Sequence, residues 1–207
     1  MGAIRKRSDG IATSERLMAE AAKEIQRFGI ENFDVQRVMD RAQATNGSLY
    51  HHFGSKNGLI AAAEVQELVR HLSSDNRVFR AMVEECRTRA EFSKAIDRVV
   101  EAVASSTRSG VRVWRARAIT LALDNKKVAK TVRNAQIEET KHAAETLRIA
   151  QERGFIDTAV DLEAVSYWMQ GQFFGFVLLE TGDTDRLRHE WKRASILGLR
   201  AVLGLHP

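Results

Sequence analysis

The stretch from Val35 to Lys56 reads VQRVMDRAQATNGSLYHHFGSK, and it decides the fold class. Its apolar residues recur at helical spacing in two sets, which are Val35, Val38, Met39 and Ala42, followed by Leu49 and Phe53. Asp34 and Thr45 precede the two sets as candidate helix N-caps. The pattern therefore predicts two short helices, Val35–Ala42 and Asn46–His52, which are separated by a turn of about three residues.

Helical periodicity continues on both sides of this stretch. Strand-like alternation is scarce, and the only proline is the last residue, Pro207, so no proline interrupts a helix internally. The other helices that we expect run from Thr13 or Ser14 to Phe28, from Ser55 to Leu72, and over Phe79–Cys86, Ala90–Ser105, Val111–Leu123, Val128–Arg153, Leu162–Glu180 and Asp185–Leu203. The sequence predicts an all-α fold.

The composition is that of a globular protein with a sizeable core. Of 207 residues, 44% are hydrophobic and 29% are charged, and the formal net charge is +5. The single cysteine, Cys86, excludes an intramolecular disulfide and a zinc site built from cysteines. The basic N-terminus lacks the apolar segment of a signal peptide, and no apolar run reaches the ~20 residues that cross a bilayer. We therefore expect a cytoplasmic protein with no membrane partner.

The second short helix carries side chains that suit a DNA-reading helix. No acidic residue lies between Arg41 and Lys56. With Leu49 and Phe53 facing the core, the residues left toward solvent are Asn46, Gly47, Ser48, Tyr50, His51 and His52. Two helices joined by a short turn form the helix-turn-helix, whose second helix enters the DNA major groove. Many short helix pairs share this spacing, so spacing alone leaves a DNA-binding pair and an ordinary helix pair open.

Residues 16–60 also resemble a known family. Their last part, GSLYHHFGSKNGLI from Gly47 to Ile60, is similar to the DNA-binding domain of the TetR family of bacterial transcriptional regulators. The resemblance implies a three-helix, helix-turn-helix DNA-binding domain over residues 1–60 and a larger helical domain for ligand binding and dimerisation over residues 61–207. It also implies a homodimeric, ligand-responsive repressor that binds a palindromic operator in double-stranded DNA. The effector is a small molecule whose identity the sequence does not indicate.

The resemblance assigns roles within the motif. Base edges or the nearby backbone would be contacted by Gln36, Thr45, Asn46, Gly47 and Ser48. The flanking phosphates would be held by Tyr50, His51, His52 and Lys56, with Arg37 assisting from the preceding helix. His51 suits either set, and the amides of Gln36 and Asn46 are able to make bidentate contacts to adenine.

Two features near the motif depart from the family pattern or lie outside it. Glycine is usual at the position of Gln43 in the family, and a left-handed backbone at Gln43 would cost about 1 kcal/mol, which favours a differently shaped turn. The basic residues Arg5, Lys6 and Arg7 precede the expected first helix. They would either track DNA as a flexible arm or form a solvated tail, and the tail is the favoured interpretation.

The last two predicted helices carry apolar residues with two interpretations. They would form the core of a monomer, or they would pair with the same helices of a second chain as a four-helix interface. The resemblance favours a dimer interface that contains Trp168, Gly171, Gly175, Leu179, Ile196, Leu199 and Leu203.

The larger domain also holds candidates for a ligand cavity. The aromatic and methionine residues that we expect to line it as a group are Phe79, Met82, Phe92, Trp114 and Phe173, although for any single one of them an ordinary core position is the favoured interpretation. The arginines Arg108, Arg112, Arg115 and Arg117 form a dense basic set. This set would receive an acidic ligand or form a solvated helix face, and the solvated face is favoured.

No motif for catalysis or metal binding stands out. Glu139-x-x-His142 has the spacing of di-metal carboxylate bundles, but no second pair accompanies it. We expect no metal, no cofactor and no enzymatic activity. Two other classes remain open: a small all-α enzyme or metal-binding bundle, which would carry bound metal, and a protein-interaction module, whose binding would be insensitive to salt.

Overall fold

The computed structural model of the chain describes residues 2–181 and 185–205, and it gives only the backbone of residues 2–9, 124 and 127. Every regular element in these ranges is helical, which confirms the all-α prediction. The helices are α1 Gly2–Phe28, α2 Val35–Ala42, α3 Asn46–Phe53, α4 Lys56–Glu85, α5 Arg89–Ala104, α6 Ser109–Asp124, α7 Lys126–Glu152, α8 Leu162–Gly175 and α9 Asp185–Val202. Short 3₁₀ turns precede α6 (Ser106–Arg108) and follow α8 (Phe176–Glu180).

The first three helices pack around one apolar core together with the start of α4. The core side chains from α1 and α2 include Leu17, Ala21, Ile25, Val38, Met39 and Ala42, and α3 and α4 add Leu49, Leu59, Ile60 and Ala63. Because each helix buries only one face, the opposite faces of α2 and α3 remain at the surface. The two short helices lie where the sequence predicts them.

Helix α1 begins much earlier than predicted. We expected its start at Thr13 or Ser14, but the helix extends back to Gly2. Arg5, Lys6 and Arg7 therefore lie inside α1 and not in a flexible segment before it, while their side chains fall outside the described part of the chain. Alanine, arginine and lysine are good helix formers, so an N-cap candidate further along does not end the helical pattern upstream of it.

Helix α4 is one element where two were predicted. The expected break at Ser73 is absent, and the helix continues to Glu85. Leu68, Leu72, Phe79 and Val83 keep one face of α4 buried through this region. That continuous burial outweighs the weak local preference of Ser73 for a turn. The predicted domain boundary after residue 60 falls inside α4, and Ala63 still belongs to the N-terminal core.

The remaining helices form a second, larger bundle. Its core includes Phe92 and Ile96 of α5, Leu147 of α7, and Leu199 of α9. Helix α7 packs against α4, α6 and α8, and α5 packs against α9. The predicted helix Leu162–Glu180 is two elements, because the α-helical pattern ends at Gly175 and a 3₁₀ turn follows.

The turn between α2 and α3 keeps a left-handed residue without glycine. Gln43 has φ 50° and ψ 48°, so our expectation of a differently shaped turn is wrong. The Gln43 N–H donates to the Asp40 carbonyl at 3.3 Å, and the Ala44 N–H donates to the Met39 carbonyl at 3.0 Å. These bonds close the end of α2 and keep Gln43 left-handed despite its side chain.

This strain makes Gln43 a site where a substitution should stabilise the protein. Gln43→Gly removes a left-handed cost of about 1–2 kcal/mol but adds flexibility to the unfolded chain, so we expect a net gain of about 0.5–1 kcal/mol in the free energy of unfolding. Gln43→Ala, which retains a Cβ, serves as the control and should bring no such gain. Denaturant unfolding measures both variants, and a glycine variant less stable than the alanine variant would contradict the prediction.

Candidate nucleic-acid interface

Helix α3 is held at both ends and along one face. At its start, the Thr45 hydroxyl accepts a hydrogen bond from the Ser48 N–H at 3.2 Å, as an N-cap does. At its end, Gly54 adopts φ 74° and its N–H donates to the Tyr50 carbonyl at 3.0 Å. Leu49 is buried between these ends. The helix is therefore fixed in place while its remaining face is available to a partner.

The predicted DNA-binding residues lie together on α2, α3, the turn before α3 and the first turn of α4. None of them belongs to the buried core. Those that are exposed are Gln36, Arg37, Thr45, Asn46, Gly47, Tyr50, His51 and Lys56, whereas Ser48 and His52 are partly buried. Tyr50 is the most prominent aromatic residue of this surface, with 62% of its area exposed. The fold thus brings the whole predicted set onto one small domain, and their contacts with DNA stay a prediction.

Packing within the chain requires glycine at only one of two positions in this region, Gly47 and Gly58. A Cβ on Gly47 would meet only the Thr45 hydroxyl at 3.7 Å, so packing within the chain does not require glycine there. Because Gly47 has no side chain, a nucleic-acid backbone would be able to approach the start of α3 closely. A Cβ on Gly58 would lie 2.0 Å from the Phe53 carbonyl oxygen, so glycine is required where α4 passes the end of α3. Sequence reasoning missed Gly58, because only the packing shows this contact.

A buried carboxylate fastens α2 to α1. Glu24 has none of its side chain exposed, and it accepts hydrogen bonds from Arg37 Nε at 2.8 Å and Arg41 Nη2 at 2.5 Å. Arg41 also pairs with Glu20 at 3.1 Å, and Arg37 donates to the Asn32 carbonyl at 3.1 Å. The sequence analysis did not identify Glu24, which lies on α1 among the buried residues Ala21 and Ile25.

The pairing determines the charge state of these acids. Burial acts to raise the pKa of Glu24, but hydrogen bonds from Arg37, Arg41 and the Asp34 N–H outweigh it and lower that pKa. Hydrogen bonds from Lys23 and Arg41 lower the pKa of Glu20 despite its own desolvation. Both carboxylates are therefore ionised at neutral pH, and the guanidinium groups are held at defined places on the domain surface.

Two of the predicted phosphate-binding cations have intramolecular partners as well. Arg37 is engaged with Glu24 and Asp34, and its guanidinium lies 4.7 Å from the centre of the Phe28 ring. Lys56 donates from Nζ to the Phe33 carbonyl at 2.8 Å. Their role at DNA remains a prediction, but the structure gives both a role in joining α1, α2 and α4.

The structure corrects the predicted cavity lining. Phe79 and Phe173 do line a cavity between α4, α5, α6, α7 and α8. Phe92 instead stacks on Phe155 in the core with ring centres 6.2 Å apart, and Met82 packs against the same core. Trp114 packs into the core of the N-terminal helices. Aromatic residues at helical spacing therefore divide between core and cavity in a way that periodicity does not reveal.

The structure also corrects the predicted interface residues. Leu179, Leu199 and Leu203 are buried within the core of their own chain and are not available to a partner. A Cβ on Gly175 would come within 2.8 Å of the Trp191 ring, so this glycine permits close packing of α8 against α9 in the same chain. Residues that remain at least partly accessible are Trp168, Gly171 and Ile196.

The arginine set is not a solvated helix face, contrary to our expectation. Arg112 is 5% exposed and pairs with Glu180 through Nε at 2.6 Å. Arg108 pairs with Asp75 at 2.6 Å, and Arg117 lies 3.6 Å from the buried Glu64. Arg108, Arg112 and Arg115 all line the cavity.

The two residues of the Glu139-x-x-His142 pair have different surroundings. Glu139 accepts a hydrogen bond from Asn76 at 2.7 Å at the cavity, whereas His142 is exposed beside Glu145. No group of three or more potential ligands for a metal ion occurs within residues 2–181 and 185–205. In the same ranges, no helix has the length and apolar character needed to cross a bilayer.

The Glu24 pairing leads to a stability prediction. Glu24→Gln retains the size of the side chain but loses the charged hydrogen bonds, so the free energy of unfolding should fall by about 1.5–3 kcal/mol at pH 7. The difference in the free energy of unfolding between the wild-type protein and the variant should become smaller as the pH falls below 4.5, the ordinary pKa of a glutamate. Protonation of the wild-type carboxylate removes the same charged interaction that the substitution removes. Denaturant unfolding from pH 7 down to pH 3 measures both effects.

The control for this experiment is Glu15→Gln, an exposed position on the same helix. It should change the stability by no more than about 0.5 kcal/mol. Equal effects of the two substitutions at pH 7 would show that Glu24 does not hold α2 in place.

Comparisons with known proteins agree with this geometry. The family model of bacterial regulatory proteins, tetR family, matches residues 17–63, which contain α2 and α3. Over 194 residues the chain is 26% identical to the HTH-type transcriptional regulator UidR of Escherichia coli, covering 93% of this chain and 91% of that protein.

Solved structures share the whole fold. A TetR-family transcriptional regulator from Mesorhizobium loti superposes with a TM-score of 0.68 at 16% identity, covering 93% of this chain and 97% of the other. Thermus thermophilus FadR, a TetR-family repressor in complex with lauroyl-CoA, gives a TM-score of 0.66 at 15% identity, with coverage of 90% and 92%. The motif, the family match and the shared fold agree: residues 17–63 match the tetR family of bacterial regulatory proteins, and over most of its length the chain is similar to TetR-family transcriptional regulators.

Proposed function

We propose that this regulator binds palindromic double-stranded DNA as a homodimer, and that a small molecule in the larger helical domain controls this binding. The observation that carries the proposal is the exposed polar start of α3. The helix is capped by Thr45 at its start and by Gly54 at its end, and it lies in a segment without acidic residues. A rigid helix with a polar, uncharged or basic face suits the major groove, where base edges offer donors and acceptors. Repression is the expected outcome, because a protein seated on an operator blocks access to it.

The base-reading role belongs to the first turn of α3. Asn46 is exposed as its first residue, and its amide has the donor and acceptor that adenine requires. Gln36 is exposed on α2, where its side chain donates to Asp40 at 2.8 Å and would have to leave this bond to reach a base. Tyr50 and His51, one turn further along α3, would contact the phosphates that flank the bases.

The dimer would form through a surface on α8 and α9 that we call the outer face. It comprises Tyr167, Gly171, Phe174 and Leu178 from α8 and the turn after it, and Ala194, Leu197 and Ala201 from α9. On each helix these residues recur every three or four positions, so they share one side. Tyr167, Leu178 and Leu197 are 66%, 64% and 58% exposed, so large apolar side chains from both elements lie at the surface. Gly171 and the two alanines would allow close approach by a second pair of helices.

Helix α6 offers a physical route from the cavity to the DNA-binding domain. Arg112 and Arg115 line the cavity, whereas Trp114, between them in sequence, is buried in the N-terminal core. Arg117 lies 3.6 Å from Glu64 of α4. A ligand that shifts α6 would therefore also shift its contacts with α1 and α4. The distance between the two α3 helices of a dimer would then no longer match the distance between the half-sites of the operator. The lauroyl-CoA complex of Thermus thermophilus FadR supports ligand binding in this fold.

The base-reading role of Asn46 is tested by measuring affinities for single-base variants of the preferred duplex. Asn46→Ala should remove discrimination of about 1–3 kcal/mol at one base pair in each half-site, because the bidentate amide contact is lost. Asn134→Ala, at an exposed position of α7, is the matched control and should leave every preference unchanged. An Asn46→Ala profile identical to that of the control would refute the assignment.

The outer face is tested by placing a charge in it. Leu197→Asp should convert a dimer of about twice 23.3 kDa into a monomer, because an unpaired carboxylate would be buried in the interface. Leu123→Asp changes a leucine that is 81% exposed outside this face, and it should leave the dimer intact. Light scattering after size-exclusion chromatography measures the masses. A wild-type protein that is monomeric at micromolar concentration would contradict the proposal.

A further inference from the structure

The cavity between α4 and α8 has an apolar wall and a charged wall. Its volume is about 80 Å³, and the apolar side chains that line it include Phe79, Val99, Val103, Met169 and Phe173. A second cavity of about 240 Å³ adjoins it and shares Arg115 and Gln170. Arg115 therefore lies where the two spaces meet, within reach of a ligand in either one.

The charges of the first cavity are unevenly paired. Arg112 is held by Glu180 through Nε at 2.6 Å and by the carbonyls of Val103 and Ser105. Arg108 is held by Asp75 at 2.6 Å. The guanidinium of Arg115 lies 4.0 Å from the same Asp75 carboxylate, and it makes no hydrogen bond with any described residue. Burial lowers the pKa of Arg115, yet a guanidinium remains protonated at neutral pH.

A second polar group in the same cavity also lacks a partner. Ser166 is 1% exposed, and its hydroxyl has no hydrogen-bond partner in the part of the chain that the structure describes. A buried hydroxyl without a partner is costly, and a ligand oxygen would satisfy it. The neutral amide side chains of the lining are already paired: Asn76 donates to Glu139 at 2.7 Å, and Gln170 donates to Thr140 at 2.8 Å.

We propose that this cavity binds a small monocarboxylate, whose carboxylate pairs with Arg115 and whose apolar part lies against Phe79, Met169 and Phe173. The inference rests on the proposed function, since it names the class of the controlling ligand. A single charge is favoured because Asp75 and Glu139 line the same space and would repel a dianion. The carboxylate would gain a charged partner in a site shielded from water, where such pairs are strongest.

Binding should also involve a proton on Glu139. Burial raises the pKa of Glu139 to about 7, and Arg115 acts against this rise. The other charged groups that line the same cavity are Asp75 from α4, Arg108 from the 3₁₀ turn before α6, and Arg112 and Arg115 from α6, while α8 contributes the neutral Ser166 and Gln170. A ligand carboxylate paired with Arg115 would cancel the positive charge that stabilises the ionised form of Glu139, and it would also repel the Glu139 carboxylate. The pKa of Glu139 would therefore rise, and Glu139 would bind a proton. The affinity of the ligand should then be about tenfold higher at pH 6 than at pH 8.

The test is calorimetric titration of the full chain with benzoate, phenylacetate and hexanoate, each compared with its primary amide. The amides have nearly the same size but no charge. We expect at least one acid to bind ten times more tightly than its amide. Arg115→Met should abolish this preference and Arg115→Lys should retain it in part. Arg148→Met, at an exposed position of α7, should leave it unchanged. No preference for any acid, or the same preference in Arg115→Met, would overturn the proposal.

The proton is tested separately with Glu139→Gln, which removes the titrating group and keeps its size. The wild-type protein should bind the acid about tenfold more weakly at pH 8 than at pH 6, and the variant should bind it equally at both. The same pH dependence in both proteins would overturn the role of Glu139.

Duplex affinity measured on the same samples separates this inference from the proposed function. Arg115-dependent binding of an acid without any change in duplex affinity would support the site and refute its control of DNA binding. Specific duplex binding that a neutral compound abolishes, with no acid bound, would support the proposed function and refute the monocarboxylate.

Discussion

The surface proposed to face DNA depends on the pairing of Glu24 with Arg37 and Arg41. Helix α2 is only eight residues long and would not be stable alone, so its position must come from tertiary contacts. Val38, Met39 and Ala42 provide the apolar part of those contacts, and the buried Glu24 carboxylate provides the directional part. Since the turn at Gln43 is fixed to the end of α2, the orientation of α3 follows from the same pairing. A basic surface is thus positioned by an acid beneath it.

The two parts of the molecule are joined by helices that belong to both. Helix α4 starts in the N-terminal core and ends in the larger bundle. Helix α6 also contributes to both, because Trp114 packs into the N-terminal core and Arg115 lines the cavity of the larger bundle. Glu64, at the contact of α4 and α6, is fully buried, and neither of its oxygens has a hydrogen-bond partner among the described residues. Burial raises the pKa of Glu64 to about 7 although Arg117 acts against it. This costly contact lies between the cavity and the N-terminal core, on the route that the proposed ligand control would use.

Local sequence signals predicted the motif well, because its structure is determined by local chemistry. Asp34 and Thr45 cap the helices that they were expected to cap, and the bounds of α2 and α3 follow from short apolar repeats. Features that depend on distant packing escaped prediction. The unbroken α4 needs the α7 surface beneath it, and the burial of Leu199 and Leu203 becomes visible only once α5 is placed against α9. The same holds for Arg108 and Arg112, whose acidic partners lie on α4 and in the turn after α8.

The most direct test of the account is selection from a pool of random-sequence duplex DNA with the purified chain at moderate salt. The account predicts enrichment of an inverted repeat whose half-sites lie one helical turn, or a small multiple of it, apart. It also predicts that binding to the enriched duplex weakens steeply as salt rises, since phosphate contacts release counterions. Recovery of unrelated sequences at moderate and at low salt would contradict the central claim that α3 reads DNA.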